Sequence, residues 1–217
     1  MQVTVKGIGF SEVERKLGSL KNKAGAVMIN VLRRVQSNVR KNISKKVLKR
    51  YAVKSNEIKK TVHYNKPKRS ELNASVWVEG GTLPLIKFKV KPQDVIKLKG
   101  IKAVGSYVDG GVKYPGRQRY KYKVLKSTSL KKSETAFVQK MQNGHIGLFR
   151  RIYQNYGSKI NYNVKRKFAN NKIEELHGPS VPQMVGNEEV MNPILKEAEA
   201  VYNRRIIHEL NRVLGRL

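Results

Sequence analysis

Apolar residues recur at helical spacing near both ends of this chain and at alternating spacing in between. From about Ser11 to Ser44, Leu17, Leu20, Ala24, Val27, Met28, Val31, Leu32, Val35 and Val39 share one face of a predicted helix. Ser11 and Glu14 have the spacing of a capping box at its start, while Gly18 and Gly25 weaken its first turns. Arg33 and Arg40, with Asn30 and Ser37, fall on the opposite face, so the helix packs on one side and shows cations on the other. "VKSNEIKKTV" predicts a second, short helix with Ser55 as N-cap.

From residue 61 the period changes to two. "LNASVWVEG", "PLIKFKV" and "KAVGSYVDGG" alternate and end at Gly or Pro, as half-buried antiparallel strands do. Asn143 and Gly144 in "AFVQKMQNGHIGLFRR", residues 136–151, predict a hairpin that pairs Phe137 to Met141 with His145 to Phe149 across a type I′ turn. Residues 110–133 contain no acidic side chain and read as a basic β-arm or loop. Within it "RQRYKYKVLK" sets Arg117, Arg119, Lys121 and Lys123 on one strand face and Tyr120, Tyr122 and Val124 on the other, with Lys126 following. The plainest reading is an amphipathic strand with its Tyr side packed. The sharper one lays the cationic side on phosphates or on an acidic partner.

In "KIEELHGPSVPQM" two closely spaced prolines predict an extended connector. Helical spacing then returns, with Ile194, Ala198, Val201, Tyr202, Ile206, Leu210, Val213 and Leu214 on one face. Pro193 fits the first turn of that helix with Asn192 as its cap, or else a kink. The fold class is therefore α+β: a twisted antiparallel sheet, a long N-terminal helix, a basic β-arm or loop, and a C-terminal helix. Residues 1–172 are expected to form one basic domain. Residues 173–217 form the connector and a helix packed on the same domain.

Charge sharpens this picture. The 217 residues carry 46 Lys and Arg against 15 Asp and Glu, a formal net charge of +31. Self-repulsion on that scale calls for an anionic partner, whether nucleic acid, an acidic protein or an anionic membrane. Residues 1–172 hold 41 basic and 8 acidic side chains, whereas 173–217 hold 5 and 7, so the C-terminal segment is expected to pack and not to bind polyanions. No apolar run is long enough to span a bilayer and the first residues lack the apolar core of a signal peptide, which predicts an intracellular protein with no membrane partner. There is no Cys, hence no disulfide framework or thiolate metal site.

Catalytic chemistry finds little purchase. His208 and Glu209 open an "HEL" segment, but Arg212 stands where a zinc-protease helix needs its second His. No phosphate-binding glycine loop and no nucleophile elbow is present, and Asp94, Asp109 and Glu134 sit singly among lysines. The expectation is a non-enzymatic protein with no cofactor, no metal and no small-molecule substrate. Tyrosines interleaved with cations suit phosphate contact and base stacking, without any signature for base-specific readout.

Four segments in order carry a family resemblance: "TLPLIKFKV" at 82–90, "AFVQKMQNGHIGLFRR" at 136–151, "KIEELHGPSVPQMVG" at 172–186 and "RRIIHELNRVL" in the last helix. The chain resembles, over roughly residues 82 to 217, the minor tail protein Z family of long-tailed phages and prophages. The resemblance implies a structural virion protein that completes the head-proximal end of the tail and supports head-tail joining. Its implied partners are further copies in a ring, with six as tail symmetry suggests, other tail and neck proteins, and the end of the genomic DNA. It would act in the virion after assembly in the bacterial host cytoplasm. In such a ring a neighbouring copy is available to bury Tyr120, Tyr122 and Val124, while Arg117, Arg119, Lys121, Lys123 and Lys126, with Arg33 and Arg40, meet DNA or an acidic partner. The alternative is a sequence-nonspecific nucleic-acid-binding protein of ribosomal or nucleoid type.

Overall fold

The computed structural model describes residues 2–6, 9–91, 106–109, 112–115, 120–133, 136–151 and 173–215. In chain order the elements are β1 (Gln2–Lys6), α1 (Phe10–Leu17), a 3-10 stretch (Gly18–Lys23), α2 (Ala24–Arg50), α3 (Ser55–Lys59), β2 (Val62–Tyr64), β3 (Asn73–Val78) and β4 (Thr82–Pro84). A 3-10 turn (Leu85–Lys87) and β5 (Lys89–Lys91) follow, then β6 (Ser106–Asp109), β7 (Val112–Pro115), β8 (Tyr120–Lys123), β9 (Lys131–Ser133), β10 (Ala136–Lys140) and β11 (Ile146–Arg151). The last elements are β12 (Ile173–Glu175), β13 (His177–Ser180), α4 (Val181–Gly186) and α5 (Glu188–Val213). The fold is α+β. In place of one twisted sheet there are several small antiparallel ones, ordered β1-β3-β2, β5-β8-β9, β6-β7 and β10-β11-β12. Two compact units result, Met1–Thr82 with Pro179–Leu217, and Leu83–Gly178. The division falls at Thr82 and Pro179 and not at residue 172, so the C-terminal helix shares a unit with the N-terminal helices.

In the first unit α2 is the central element. Val27, Met28, Val31, Leu32, Val35, Val39, Ile43 and Val47 are each at most 1% exposed, and Val47 carries the buried face past Ser44 in a helix that runs to Arg50. The expected single helix is broken at Gly18, whose φ of 53° lies where side chains with a Cβ are strained. Gly18 donates its N–H to the Glu14 carbonyl and closes α1 after two turns. Gly9 caps α1, so Ser11 falls inside the first turn and the Ser11–Glu14 box does not form. Likewise Lys54, not Ser55, caps α3.

The β1-β3-β2 sheet adjoins α2 through Ala74, Val76 and Val78 of β3, all buried. The buried Gln36 of α2 donates through Nε2 to the Ser75 carbonyl at 3.1 Å and to the Asn65 carbonyl, satisfying backbone groups at that junction. A capping box does exist at Ser180: its Oγ accepts from Gln183 N at 3.3 Å, and Gln183 Oε1 accepts from Ser180 N at 2.9 Å. Pro182 therefore sits in the first turn of α4 and does not extend the connector. Asn187 Oδ1 accepts from Glu189 N at 3.2 Å and caps α5, which places Pro193 inside the helix and displaces the expected Asn192 cap.

In the second unit the expected hairpin is present, with Phe137 opposite Phe149. Its turn differs. Among described residues only glycines have positive φ, so Asn143 does not enter the left-handed region and the turn is not type I′. Gly144 N donates to the Met141 carbonyl at 2.9 Å with φ 83°, and Asn143 Oδ1 accepts from His145 N at 3.0 Å. This is a type I turn closed by a left-handed glycine, the usual three-residue hairpin loop. "PLIKFKV" is also not one strand. Leu85 and Phe88 are both buried, which an alternating strand forbids for residues three apart and a 3-10 turn allows. Leu85 N donates to the Leu176 carbonyl and Leu176 N to the Leu148 carbonyl, each at 2.8 Å, fixing that turn against β11.

Candidate functional site

Two cationic surfaces stand out, one in each unit. In the second unit the sheet β5-β8-β9 places Lys121 directly opposite Lys91 on one side and Lys132 on the other, and Lys123 opposite Lys89. Residues opposite each other in antiparallel strands share a face, so Lys89, Lys91, Lys121, Lys123 and Lys132 gather on one side of three strands. Val90, Tyr120 and Tyr122 alternate to the other side. Lys123 is half-buried and donates through Nζ to the Lys126 carbonyl at 3.1 Å; the other four are exposed. Among described residues none of the five forms an ion pair with a carboxylate. Like charges directly opposite destabilise a sheet by roughly 0.2–1 kcal/mol a pair, so this face is more stable with an anion on it.

Of the strand residues singled out in the sequence, Lys121 and Lys123 lie on this face, while Arg117 and Arg119 lie outside the described residues. The strand ends at Lys123, leaving Val124 half-buried and Lys126 exposed in the bend that follows. Tyr120 is 4% exposed within the single chain, as the amphipathic-strand reading expects, so its burial needs no neighbouring copy. Tyr122 is half-buried. Lys89, Lys91 and Lys132 escaped sequence reasoning because only strand register brings them beside Lys121.

The second surface lies between α2 and α5, which run antiparallel. Asn30 Nδ2 donates to Glu209 Oε2 at 3.4 Å, Asn42 Nδ2 to Glu197 Oε2 at 2.6 Å, and Lys46 and Arg50 pair with Glu197 and Glu189. These partners belong to rows spaced by four: Asn30, Arg34, Asn38, Asn42, Lys46 and Arg50 on α2, and Glu189, Pro193, Glu197, Val201, Arg205 and Glu209 on α5. Residues four apart form one ridge of a helix, so a polar ridge of each helix meets the other. The hydrogen bond from Lys46 and, less strongly, its charge hold the Glu197 carboxyl below the ordinary carboxylate range against the opposing effect of burial.

Extending that register puts Arg34 level with Arg205, a cation facing a cation. There the seam opens into a cleft of about 510 Å³ lined by Arg34, Ser37, Lys41, Val201, Arg204 and His208 among others. It continues into a second of about 500 Å³ that adds Arg33, Arg212 and Glu209. Glu209, 2% exposed, is held by Arg205 Nη2 and Arg212 Nε, each at 3.0 Å. Arg33, Arg34, Lys41 and Arg204 have no carboxylate partner among the described residues. A third depression adjoins through Arg33 and Ser37, where Arg40 lies 3.7 Å above the centre of the Tyr64 ring.

Arg33 and Arg40 therefore lie where the helical period placed them, exposed and opposite the core. Arg204 and Arg205 escape sequence reasoning because segment 173–217 is acidic on balance, and Arg212 reads there only as a complement to the helix dipole. Its signal was readable: Glu188, Glu189, Glu197 and Glu199 crowd the first half of α5 and the arginines its second half, as the helix dipole favours. No protein-family model, no curated protein and no solved structure matches this chain.

Proposed function

We propose that this chain is a structural, non-enzymatic protein of a long-tailed phage or prophage, of the minor tail protein Z kind, completing the head-proximal end of the tail and supporting head-tail joining. The observation that carries the reading is the order of four motifs between residues 82 and 186 and in the last helix. Their structural roles suit a scaffold protein. "PLIKFKV" supplies the turn that buries Leu85 and Phe88, "AFVQKMQNGHIGLFRR" a hairpin, and "HGPSVPQMVG" the capped start of α4, with Val181, Met184 and Val185 buried. In this reading copies form a ring, six by tail symmetry, among tail and neck proteins, and the lysine face of β5-β8-β9 turns to the DNA end or to an acidic neighbour. The alternative, a nucleic-acid-binding protein of ribosomal or nucleoid type, draws on the same cationic surfaces.

Deleting the gene from the phage or prophage that encodes the chain separates the two. The tail reading expects filled heads and tails that fail to join into infectious particles, with titre restored by the wild-type gene. It also expects less restoration by Lys91→Gln/Lys121→Gln/Lys132→Gln, which thins the lysine face and leaves Tyr120 packed. Normal titre from the deletion would overturn it.

A further inference from the structure

We infer that the groove between α2 and α5 seats the phosphodiester backbone of a nucleic acid, bound without regard to base sequence. The inference rests on the groove alone and holds whether or not the chain belongs to a tail. Between the tethers Asn30–Glu209 and Asn42–Glu197, α2 runs ~18 Å at ~1.5 Å per residue. Along that length one strand of a duplex presents about five phosphates at ~3.4 Å each. The groove presents Arg33, Arg34, Lys41, Arg204, Arg205 and Arg212, and Glu209 offsets one of the six charges. Its net charge thus matches the stretch of backbone it is long enough to hold.

An acidic protein helix laid in the same groove would span about twelve residues and turn only three or four of them inward, too few carboxylates to satisfy the site. The kind of cation points the same way. Arginine is the minority cation of this chain, yet it supplies five of the six, and the planar guanidinium fork matches phosphate oxygens two at a time. The tethers of the seam set carboxylate against amide or cation; at Arg34 and Arg205 it sets cation against cation. That level is open to an anion from outside. No base-reading element enters the groove among the described residues, so the contact is to backbone alone.

The test is anisotropy titration of the full chain with two short labelled duplexes of unrelated sequence, over a range of salt. Arg33→Gln/Arg34→Gln/Lys41→Gln/Arg204→Gln removes four exposed cations that have no carboxylate partner among the described residues. Lys49→Gln/Lys54→Gln/Lys59→Gln/Lys60→Gln removes the same charge from exposed positions of the same unit outside the groove. Affinity is expected to fall about tenfold or more for the groove variant, equally on both duplexes, with the slope of log K against log salt reduced by up to ~0.9 per lost phosphate contact. The control variant should change much less. Arg34→Lys/Arg204→Lys, a milder pair that keeps the charge, should weaken binding with little change in slope and keeps the idea testable if the fourfold variant misfolds. Equal losses in the groove and control variants would overturn the assignment, leaving diffuse charge as the cause. So would poly-glutamate displacing the duplex as effectively, charge for charge, as unlabelled DNA, since the groove would then be a seat for an acidic protein.

Discussion

Gly178 shows how tightly a single position is fixed. A Cβ built there would lie 2.7 Å from Cε2 of Phe88, and Phe88 is 1% exposed and held by the turn that also buries Leu85. The ring has no room to swing aside, so the backbone must give. Gly178→Ala is expected to lower stability by about 1–3 kcal/mol, the usual cost of overpacking, read as a lower urea midpoint. Nothing in "LHGPS" marks this glycine as a packing residue, because the ring that excludes a side chain comes from ninety residues earlier. Phe88 itself was legible as apolar, but its partner was not.

At the scale of elements, the α2–α5 seam governs the first unit and makes part of its stability depend on pH. The folded chain holds Glu197 below the ordinary carboxylate range, so its pairing with Lys46 stabilises the fold above that range and is lost as pH falls through the lowered value. Glu197 remains 44% exposed, which limits the effect to under about 1 kcal/mol. Glu197→Gln should therefore be less stable than the wild type at neutral pH, and the gap should close at an acid pH below that lowered value, where the carboxyl has taken up its proton and both side chains are neutral. Urea midpoints at the two pH values decide it, and an equal gap at both would remove Glu197 from the linkage. The existence of both helices was clear from their apolar period. The polar rows that join them were not, since the α5 row is interrupted by Pro193 and Val201 and each row acquires meaning only from the other.

For the molecule as a whole, +31 is carried by two units whose cationic surfaces differ in kind, a lysine face on a sheet and an arginine groove between helices. Removing Asn187–Leu217 takes away α5, and with it the cover over α2 and the carboxylates that pair with Asn30, Asn42, Lys46 and Arg50. The shortened chain is expected to expose apolar surface and to elute as aggregate in size-exclusion chromatography. A monomeric, cooperatively unfolding truncation would show that α2 is covered without its partner.

Local patterning by itself determined the α+β class, the two long helices, the hairpin at residues 136–151 and the outward placement of Arg33 and Arg40. Those features follow from the period of apolar residues and from Gly and Asn at a turn, interactions within a few residues of chain. Only the tertiary structure decided that Lys89, Lys91 and Lys132 join Lys121, that α5 lies antiparallel on α2, and that Arg34 meets Arg205 across a groove. Register between strands and between helices is set by side chains far apart in the chain, and a slip of one residue would turn each of these faces elsewhere. Summing charge along the sequence hid the arginines of α5 behind its glutamates, because folding separates the two halves of a helix in space while a sum keeps them together.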